Sequence, residues 1–448
     1  MNIKLISPRM SLRPMDSSLK RLMAPPLSLV IIATLTPKEH KVWIEDENIE
    51  KIKLTDSPDL VGITVNVDTS ERAFVIAKQY RDRGIKVVFG GIHASANPEL
   101  MLENCDSVVI GEAEEIWSDL IDDFKNNQLK NTYKNDKITC LKKVPLPDWN
   151  FVKCSKYLYH NIIITSRGCP FKCNFCYNSS DYVSNPFRNR PVDEIIREIE
   201  SIGTKQLLII DDNFIGNIEW TKIFVQTLKG RNLIWHAAVS ANIYNHKNLI
   251  VEFAKSGCRS LFIGFESINE ESILSANKKQ NKVKEYEELI AFLHENSIMV
   301  NASIVFGFDY DEPSVFKNTL NWLVKNKVET MTAHILTPYP GTVLYKQFFA
   351  ENRIIDFRPN KYNTSNVVFR PKRMTVEELK KGYLWIYKEF YSIKNILKRR
   401  PTNKSLRKPY FLFNFGYRKY GRITSIFGKF GFMNKIGQIA RGISYGIK

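Results

Sequence analysis

Three cysteines that could hold an iron–sulfur cluster stand close together near the middle of the chain, at Cys169, Cys173 and Cys176. Thiolates are soft ligands that suit iron–sulfur clusters and zinc. A cubane cluster takes four ligands, so a run that supplies three leaves one iron open to bind another molecule. A zinc site is the alternative, but it would want a closed set of four ligands, and no second cysteine or histidine pair stands nearby. The spacing therefore favours a cluster with an open iron.

The other four cysteines do not belong to such a run; they are Cys105, Cys140, Cys154 and Cys258. An odd total of seven is a poor disulfide framework and fits a reducing compartment in which cysteines bind metals. The longest apolar stretch near the start, 24–35, contains two prolines and is shorter than the roughly 20 residues of a membrane span. We therefore expect a cytoplasmic protein in which these four cysteines are dispensable for the cluster.

Positive charge is concentrated at the C-terminus. The formal charge of the chain is +18, and residues 391–448 supply +14 of it, from eight lysines and six arginines with no acidic residue. Aromatic residues are interleaved with these cations, over 410–420 and at Phe427, Phe430 and Phe432. Such a pattern suits an anionic membrane surface, a nucleic acid or an anionic substrate, and it also suits a segment whose rings pack on the protein while its cations stay wet. Rings gain from burial in lipid, whereas a nucleic acid needs unpaired bases to stack on them. We therefore expect peripheral membrane contact and a lipid-like substrate rather than nucleic acid.

Two blocks of alternating strands and helices precede this tail. In the first block, apolar runs predict a helix over 70–83 and five strands, at 3–6, 41–44, 60–65, 86–89 and 107–110. Alternation of this kind predicts a doubly wound, Rossmann-like parallel sheet, which binds ligands beyond the carboxyl ends of its strands. Gly90, Gly91 and Gly111 fall at those ends, where tight turns alone would also explain them.

The alternation starts again at 161, after a polar stretch and a proline-rich segment at 145–148. It predicts helices at 192–201 and 284–296, and six strands, at 162–165, 207–210, 235–239, 260–263, 300–306 and 330–336. This pattern indicates a partial (β/α) barrel, whose chemistry lies on the loops after the strands. The predicted domain bounds are 1–125 for the doubly wound domain, 126–160 for a linker, 161–345 for the barrel, 346–390 for an extension of the barrel and 391–448 for a basic, mainly helical or irregular tail.

Acidic and polar residues follow several of the barrel strands. Asp211 and Asp212 follow the second strand, Ser240 and Asn242 the third, and Glu266 the fourth. Taken singly, each is more often an ordinary solvated strand end. The carboxyl ends of barrel strands nevertheless meet at one rim, and the cysteine run follows the first strand, so we expect these groups to share that rim.

The cysteine run and the strand ends together resemble the signature of the radical S-adenosylmethionine (SAM) superfamily, over about 161–345. The resemblance implies that Cys169, Cys173 and Cys176 hold a 4Fe–4S cluster whose open iron chelates SAM. Reductive cleavage of SAM then yields a 5′-deoxyadenosyl radical, with electrons from a donor of the flavodoxin or ferredoxin type.

The same resemblance implies SAM contacts for other residues of the rim. Phe175 matches an aromatic position near the adenine, and Glu266 matches the ribose-binding glutamate. Asp211 and Asp212 occupy the slot of a Gly-Gly-Glu motif for the SAM amino group, in an acidic variant found in a large subgroup. The remaining expected contacts to SAM are Ser240, Asn242 and backbone groups at Gly307.

The first 125 residues resemble the cobalamin-binding domain that precedes the radical domain in that subgroup. The matching stretches are 23–29, 90–94 and 111–114, which include Gly90, Gly91 and Gly111. The D-x-H-x-x-G motif that supplies a lower axial histidine in many cobalamin proteins is absent, as is common in the subgroup. We therefore expect cobalamin to bind without a protein histidine, and we interpret His93 and His236 as packing or loop histidines.

The function implied by these resemblances is cobalamin-dependent radical methylation of an unreactive carbon. The alternative among enzymes is a radical SAM rearrangement, cyclisation or carbon–carbon coupling in which cobalamin is structural, altered in role or absent. A degenerate binding or assembly module is a third reading, and the intact cysteine triplet together with Glu266 argues against it. No motif identifies the substrate.

Overall fold

The computed structural model describes residues 1–14, 16–135, 138–183, 186–419 and 433–445. Its strands are β1 Asn2–Ser7, β2 Lys41–Asp46, β3 Leu60–Thr64, β4 Lys86–Gly90, β5 Ser107–Ile110, β6 Thr132–Lys134, β7 Ile162–Ile163, β8 Ser166–Arg167, β9 Arg188–Asn189, β10 Gln206–Ile209, β11 Ile234–Ser240, β12 Cys258–Glu266, β13 Met299–Phe306 and β14 Thr330–Ile335.

The helices alternate with the strands and continue beyond the last of them. They are α1 Leu27–Leu35, α2 Ser70–Arg81, α3 Ile92–Ala96, α4 Pro98–Leu102, α5 Trp117–Lys125, α6 Val192–Ile202, α7 Ile218–Leu228, α8 Lys247–Lys255, α9 Glu270–Ser275, α10 Tyr286–Glu295, α11 Val315–Lys325, α12 Val343–Ala350, α13 Val376–Phe390, α14 Ile393–Lys398, α15 Arg407–Phe411, a π-helical turn Leu412–Lys419 and α16 Met433–Tyr445.

The first sheet is parallel throughout, with strand order β2-β1-β3-β4-β5-β6. Helices cover both of its faces, as parallel sheets require. Leu29 of α1 and Leu120 of α5 pack on one face, and Ile76 and Tyr80 of α2 pack on the other. The predicted doubly wound fold is therefore confirmed.

One segment near the N-terminus, Ser18–Leu35, is long and apolar enough to cross a membrane by length and composition alone. In the structure it consists of a 3₁₀ turn at Ser18–Leu22 and the nine-residue helix α1. Val30 and Ala33 of α1 are almost wholly inaccessible to solvent, and the helix packs beside the first sheet. The apolar residues of α1 therefore pack in the core, whereas 39% of the segment as a whole is buried.

Strand β6 was not predicted, because it lies in the stretch assigned to the linker. It pairs with β5, with Tyr133 opposite Val109, and so extends the first sheet beyond residue 125. Tyr133 is buried between exposed Thr132 and Lys134. The division of the chain into domains otherwise remains a proposal.

The second sheet is also parallel, with strand order β14-β13-β12-β11-β10-β7. This arrangement confirms the predicted partial barrel. Trp235 and Val239 of β11 point outward into the core formed with the helices, whereas His236 and Ala238 between them are only half-buried. Strand residues alternate between the two faces, so the less buried set lines a hollow interior.

The basic tail packs on the amino end of the barrel. Arg399 is fully buried and donates hydrogen bonds to the carbonyl oxygens of Val328, Glu329 and Phe390. Tyr410 is also buried and donates to a carbonyl within the tail. The described part of the tail is helical, as predicted, but Tyr410 packs inside the protein, where it is closed to lipid. Tyr420, Phe427, Phe430 and Phe432 lie outside the described residues.

Candidate active site at the carboxyl end of the barrel

The predicted cluster ligands lie on one loop that leaves the short strand β8. Cys173 is buried, and Cys169 and Cys176 are half-buried. The backbone N–H of Cys176 donates to the carbonyl oxygen of Cys173 over 3.0 Å, which folds the loop back on itself. Gly168 has a φ of +79°, a conformation that glycine adopts without a steric penalty. The loop therefore turns sharply just before its first cysteine.

The three thiols of this loop are electrostatic neighbours. Burial raises the pKa of each one, to about 12 for Cys176, and the negative charge of the neighbouring thiolates and of Asp212 adds to the effect on Cys169 and Cys176. No three histidine, cysteine or acidic side chains in the described part of the chain converge on a single ion. In a cubane each thiolate binds a different iron. Three thiols on one loop that do not converge on one point therefore fit a cluster better than a single metal ion.

A positive charge that no sequence motif marks lies beside this loop. Lys278 is buried, and its ammonium group lies 2.6 Å from Oε1 of Glu266. Burial alone would lower the pKa of Lys278, but Glu266, Cys173 and Cys176 hold it above its ordinary value. In the sequence Lys278 is one of two consecutive lysines, and only its burial distinguishes it from the other.

Glu266 ends strand β12 in an unusual conformation. Its φ is +63°, which costs free energy for any residue other than glycine and is found mostly at functional sites. The pairing of β12 with β13 shifts between Gly264 and Glu266, so a bulge turns the carboxylate inward. A side chain at Gly264 would collide with it, since a Cβ there would lie 2.6 Å from Oε1. Ser303 donates to the other carboxylate oxygen over 3.3 Å.

The two acids that follow β10 have different environments. Asp211 is buried and accepts hydrogen bonds from the backbone and hydroxyl of Thr165 and from the hydroxyl of Ser166, at 2.5–2.7 Å. Asp212 is exposed, although enough protein surrounds it that desolvation raises its pKa. Its carboxylate makes no hydrogen bond or ion pair with any described residue. Asp211 therefore fastens the segment that leads into the cysteine loop, and Asp212 is the acid open to a ligand.

The polar residues after β11 are bonded mainly to one another. The hydroxyl of Ser240 donates to Oδ1 of Asn242 over 2.5 Å, and its backbone N–H donates to Oδ1 of Asn213 over 3.2 Å. Ser240 is buried and Asn242 is half-buried. The network joins the strand ends of β10 and β11, and Asn242 is the member nearer to solvent.

Two aromatic rings bring the cysteine loop against the loop after β13. Phe175 meets Phe308 edge-on, with ring centroids 6.2 Å apart. The N–H groups of Gly307 and Phe308 both donate to the buried carboxylate of Asp311. Leu379 and Phe369 close over Gly307, where a Cβ would lie 2.8 Å from Leu379. The N–H of Gly307 is therefore already engaged, which leaves other backbone groups of this loop to meet an adenine.

The glycines of the first domain lie at the carboxyl edge of its sheet, as predicted. Gly91 has a φ of +100°, and a Cβ there would lie 3.0 Å from Oγ1 of Thr64, so the β4 loop packs directly on the β3 loop. Gly90 ends β4 next to it. Gly111 has a φ of +83°, and no atom lies within 4 Å of where its Cβ would be. Open space beside Gly111 fits the approach of a ligand.

This edge of the first domain faces the cysteine loop. His93 is buried and shares a hydrogen bond of 3.2 Å with the hydroxyl of Tyr177, the residue after Cys176. Tyr177 stacks on Tyr339 with ring centroids 5.0 Å apart. The fold therefore brings the two predicted cofactor regions together.

Ion pairs reinforce the contact between the two domains. Glu112 lies 2.6 Å from Arg188 and 3.6 Å from Arg167, and Glu114 also pairs with Arg167. Burial alone would raise the pKa of Glu112, but the hydrogen bond from Arg188 and the charges of both arginines hold it below its ordinary value. Arg167 stands two residues before Cys169, so these pairs position the start of the cysteine loop.

Comparisons with known proteins agree with this architecture. A model of the radical SAM superfamily matches residues 163–323, one of the B12 binding domain matches 23–121, and one of a domain of unknown function matches 342–411. The bacteriochlorophyllide d C-12(1)-methyltransferase of Chlorobaculum tepidum is 30% identical over 84% of this chain and 86% of its own length. The anaerobic magnesium-protoporphyrin IX monomethyl ester cyclase of Cereibacter sphaeroides is 24% identical over 79% of this chain and 63% of its own length.

A solved structure shares the whole fold. It is that of the radical SAM methyltransferase TsrM from Kitasatospora setae with cobalamin and a 4Fe–4S cluster bound, which covers 98% of this chain and 99% of its own with a TM-score of 0.70 and 16% identity. The chain therefore belongs to the cobalamin-dependent, methyltransferase-like enzymes of the radical SAM superfamily, whose cofactors are a 4Fe–4S cluster, SAM and cobalamin.

Proposed function

We propose that this enzyme transfers a methyl group from cobalamin to an unreactive carbon of a small molecule. The observation that carries the proposal is the contact between Tyr177, which follows the last cysteine, and His93, which lies at the carboxyl edge of the first sheet. A cluster with SAM supplies a carbon-centred radical, and methylcobalamin supplies the methyl group. A substrate between the two edges would be within reach of both.

The residues of the rim have four roles under this proposal. Cys169, Cys173 and Cys176 hold the cluster, and Lys278 offsets part of the negative charge that three thiolates bring. Asp212 binds the SAM amino group, since its carboxylate is exposed and makes no ion pair within the described chain.

Glu266 binds the ribose in this proposal. Its carboxylate has about four acceptor sites, and Lys278 and Ser303 occupy two of them. Two hydroxyl groups can therefore still donate to it. The pair of charges is buried, so those hydrogen bonds would form out of competition with bulk water.

Cobalamin fits the carboxyl edge of the first sheet. A corrin needs open space and backbone that permits close approach, and Gly111 offers both. Nε2 of His93 is buried with no hydrogen-bond partner among the described residues, so it is closed to a ligand as large as a corrin. The residues present therefore fit a cobalamin that does not take His93 as a ligand.

The proposal is tested by anaerobic reconstitution with iron, sulfide and hydroxocobalamin, followed by incubation with a chemical reductant, SAM carrying a deuterated methyl group and a lysate extract. We expect 5′-deoxyadenosine, S-adenosylhomocysteine and a product heavier by one labelled methyl group. Formation of 5′-deoxyadenosine with no labelled product would exclude methyl transfer to the molecules in that extract.

A cyclisation is the second candidate, because relatives named as magnesium-protoporphyrin IX monomethyl ester cyclases align over most of the chain. The same incubation distinguishes the two activities. A cyclase would form 5′-deoxyadenosine and alter its substrate without transferring the labelled methyl group.

We also propose that the enzyme works in the cytoplasm with an electron donor of the flavodoxin or ferredoxin type.

We further propose that α14 contacts membranes. Ile393 and Leu397 are about half exposed on one face of α14, and Lys394 and Lys398 beside them are exposed too. Apolar side chains with flanking lysines favour an anionic lipid surface. The test is co-sedimentation with anionic and neutral vesicles, in which replacing Ile393 and Leu397 by serine should reduce binding to anionic vesicles. Equal binding by the parent and the double variant would contradict the contact.

A further inference from the structure

A cavity of about 550 Å³ lies inside the barrel. Its walls include inward-facing residues of four neighbouring strands or their ends, namely Leu208, Ile210, His236, Ala238, Ser260, Phe262, Met299 and Asn301. Trp235 and Leu261, which alternate with them on β11 and β12, point outward into the core. The cavity is therefore the hollow interior of the barrel, and its volume is in the range of pockets that bind small molecules.

The C-terminal tail forms the floor of this cavity. Tyr410 of α15, Phe413 and Gly416 of the π-helical turn and Ala440 of α16 all line it. Asn414 donates a hydrogen bond of 3.2 Å to the carbonyl oxygen of Glu329, which fixes the π-helical turn to the barrel. The tail residues that line the amino end of the cavity lie outside the radical SAM match.

The lining of the cavity is mainly apolar and offers no charge to a ligand. Only Asp211 and Glu329 among the described lining residues are acidic, and none is a lysine or an arginine. Asp211 is bonded to Thr165 and Ser166, and Glu329 accepts from the N–H of Val300. Burial lowers the pKa of His236 to about 4, so its ring is neutral at physiological pH. A charged group in this space would lose its hydration with no partner to replace it.

The upper end of the cavity reaches the rim that carries the predicted site. Ile210 and Asp211 line it there, and Asp212, the next residue, lies close enough to Cys169 and Cys176 to raise the pKa of both thiols. The lining residues of β10 and its end run from Gln206 to Asp211, about 17 Å at 3.3 Å per residue. The cavity therefore spans the distance between the tail and the reacting end.

We infer that the barrel interior binds an uncharged hydrocarbon portion of the substrate, which extends from the rim towards the tail. The reacting carbon of that substrate lies at the rim, and the tail sets the length of hydrocarbon that fits. This inference rests on the proposed function, because it takes the rim as the place of reaction.

The first test measures binding of straight-chain primary alcohols, from 1-hexanol to 1-decanol, to the cluster-reconstituted full chain by calorimetry. Burial of each methylene is worth about 0.8 kcal/mol, so affinity should rise about four-fold per carbon until the chain fills the cavity. Affinity that does not depend on chain length would overturn the inference.

The second test fills the cavity from its floor. Ala440→Phe should weaken 1-decanol binding at least ten-fold, and Ile439→Phe is the matched control, since Ile439 is the preceding residue of α16 and is 62% exposed. Ala238→Phe, on the wall, should also weaken binding and covers the case in which Ala440→Phe does not fold. An equal loss in the Ile439 variant, or no loss in either filled variant, would overturn the inference.

The formation of 5′-deoxyadenosine separates this inference from the proposed function. A parent protein that cleaves SAM but binds the alcohols without length dependence would leave the proposed function standing and refute the hydrocarbon site. A parent protein that binds them with the expected dependence but forms no 5′-deoxyadenosine would support the site and contradict the radical chemistry.

Discussion

The two ends of the barrel are made from the same strands but use their charged residues in different ways. At the carboxyl end, Glu266 and Lys278 are buried as a pair beside the cysteine loop, and Asp212 is exposed with no ion pair in the described chain. At the amino end, the guanidinium group of Arg399 donates hydrogen bonds to three backbone carbonyl oxygens. The charged side chains at the carboxyl end are placed where a ligand can bind to them, whereas the charged Arg399 at the amino end binds the tail to the barrel. Barrel enzymes in general separate chemistry from stability in this way.

The largest effect should come from removing a cluster ligand. We expect Cys173→Ala to lose most of the cluster iron and all 5′-deoxyadenosine formation, because two thiolates cannot retain a cubane that needs protein ligands on three irons. Iron content and chromatography of the products measure both. Cys258→Ala is the matched control, since Cys258 is also buried but begins β12 at the amino end. Parental SAM cleavage by the Cys173 variant would refute the ligand assignment.

The next largest effect is expected on SAM affinity, when a buried glutamate at the carboxyl end is replaced. Hydrogen bonds to charged groups are worth about 1.5–3 kcal/mol, so Glu266→Gln should weaken SAM binding roughly 10- to 150-fold with iron content intact. Glu329→Gln is the control, because Glu329 is equally buried but accepts from Val300 and His294 at the amino end. Equilibrium dialysis with labelled SAM measures the affinity. Unchanged affinity in the Glu266 variant would contradict its role in ribose binding.

The two acids that follow β10, Asp211 and Asp212, are expected to differ in what their replacement changes. Asp212→Asn should weaken SAM binding roughly ten-fold, which corresponds to about 1.4 kcal/mol, and leave thermal stability unchanged. Asp211→Asn should instead lower the melting temperature and the iron content, because it removes acceptors that Thr165 and Ser166 need. The reverse assignment of effects would show that Asp211 binds SAM. Thermal unfolding and SAM dialysis on the same samples decide between them.

Sequence patterns predicted most of the framework that carries this site. The helix expected at 70–83 occurs at Ser70–Arg81, and the strand expected at 60–65 occurs at Leu60–Thr64. The helix has apolar residues at helical spacing, and the strand is a continuous apolar run that is buried on both faces. Strand β6 was missed because it has three residues and only Tyr133 is buried, which is too short for a period to show.

The sequence does not predict the roles of residues whose neighbours in the fold come from distant segments of the chain. Asp211 and Asp212 are adjacent and identical in type, and only the Thr165 and Ser166 hydrogen bonds separate their roles. Lys278 resembles any surface lysine until Glu266 is placed beside it. The aromatic tail suggested lipid contact because its pattern does not distinguish a ring that faces solvent from one, such as Tyr410, that packs on the barrel.

A smaller effect on activity is expected at the amino end. Arg399→Met should lower the free energy of unfolding by about 1–3 kcal/mol, the usual cost of leaving a buried hydrogen-bonding group unsatisfied, because three carbonyls lose their donor. SAM cleavage per folded molecule should stay within two-fold of the parent, since none of the described residues proposed to hold the cluster or SAM is among the hydrogen-bond partners of Arg399. Denaturant unfolding and initial rates measure the two quantities. A ten-fold loss of SAM cleavage at parental stability would mean that the two ends are coupled.

The smallest effect is predicted for the visible spectrum of bound cobalamin. The parent protein should retain hydroxocobalamin through gel filtration, and His93→Ala should leave its absorption bands in place. Burial lowers the pKa of His93 to about 4, so the ring is neutral and its charge state alone would permit metal ligation. Cobalt is nevertheless not expected to reach the ring, because Nδ1 is hydrogen-bonded to Tyr177 and Nε2 is buried.

Tyr177→Phe removes the hydrogen bond to His93 and leaves both rings in place, so it is the matched variant for this test. If His93 only holds the two domains together, both variants should lower thermal stability and neither should shift the cobalamin bands. A band shift in His93→Ala that Tyr177→Phe does not reproduce would show that the histidine reaches cobalt in the loaded enzyme. That result would require the cysteine loop to move away from the first domain when cobalamin binds, since Tyr177 links His93 to that loop.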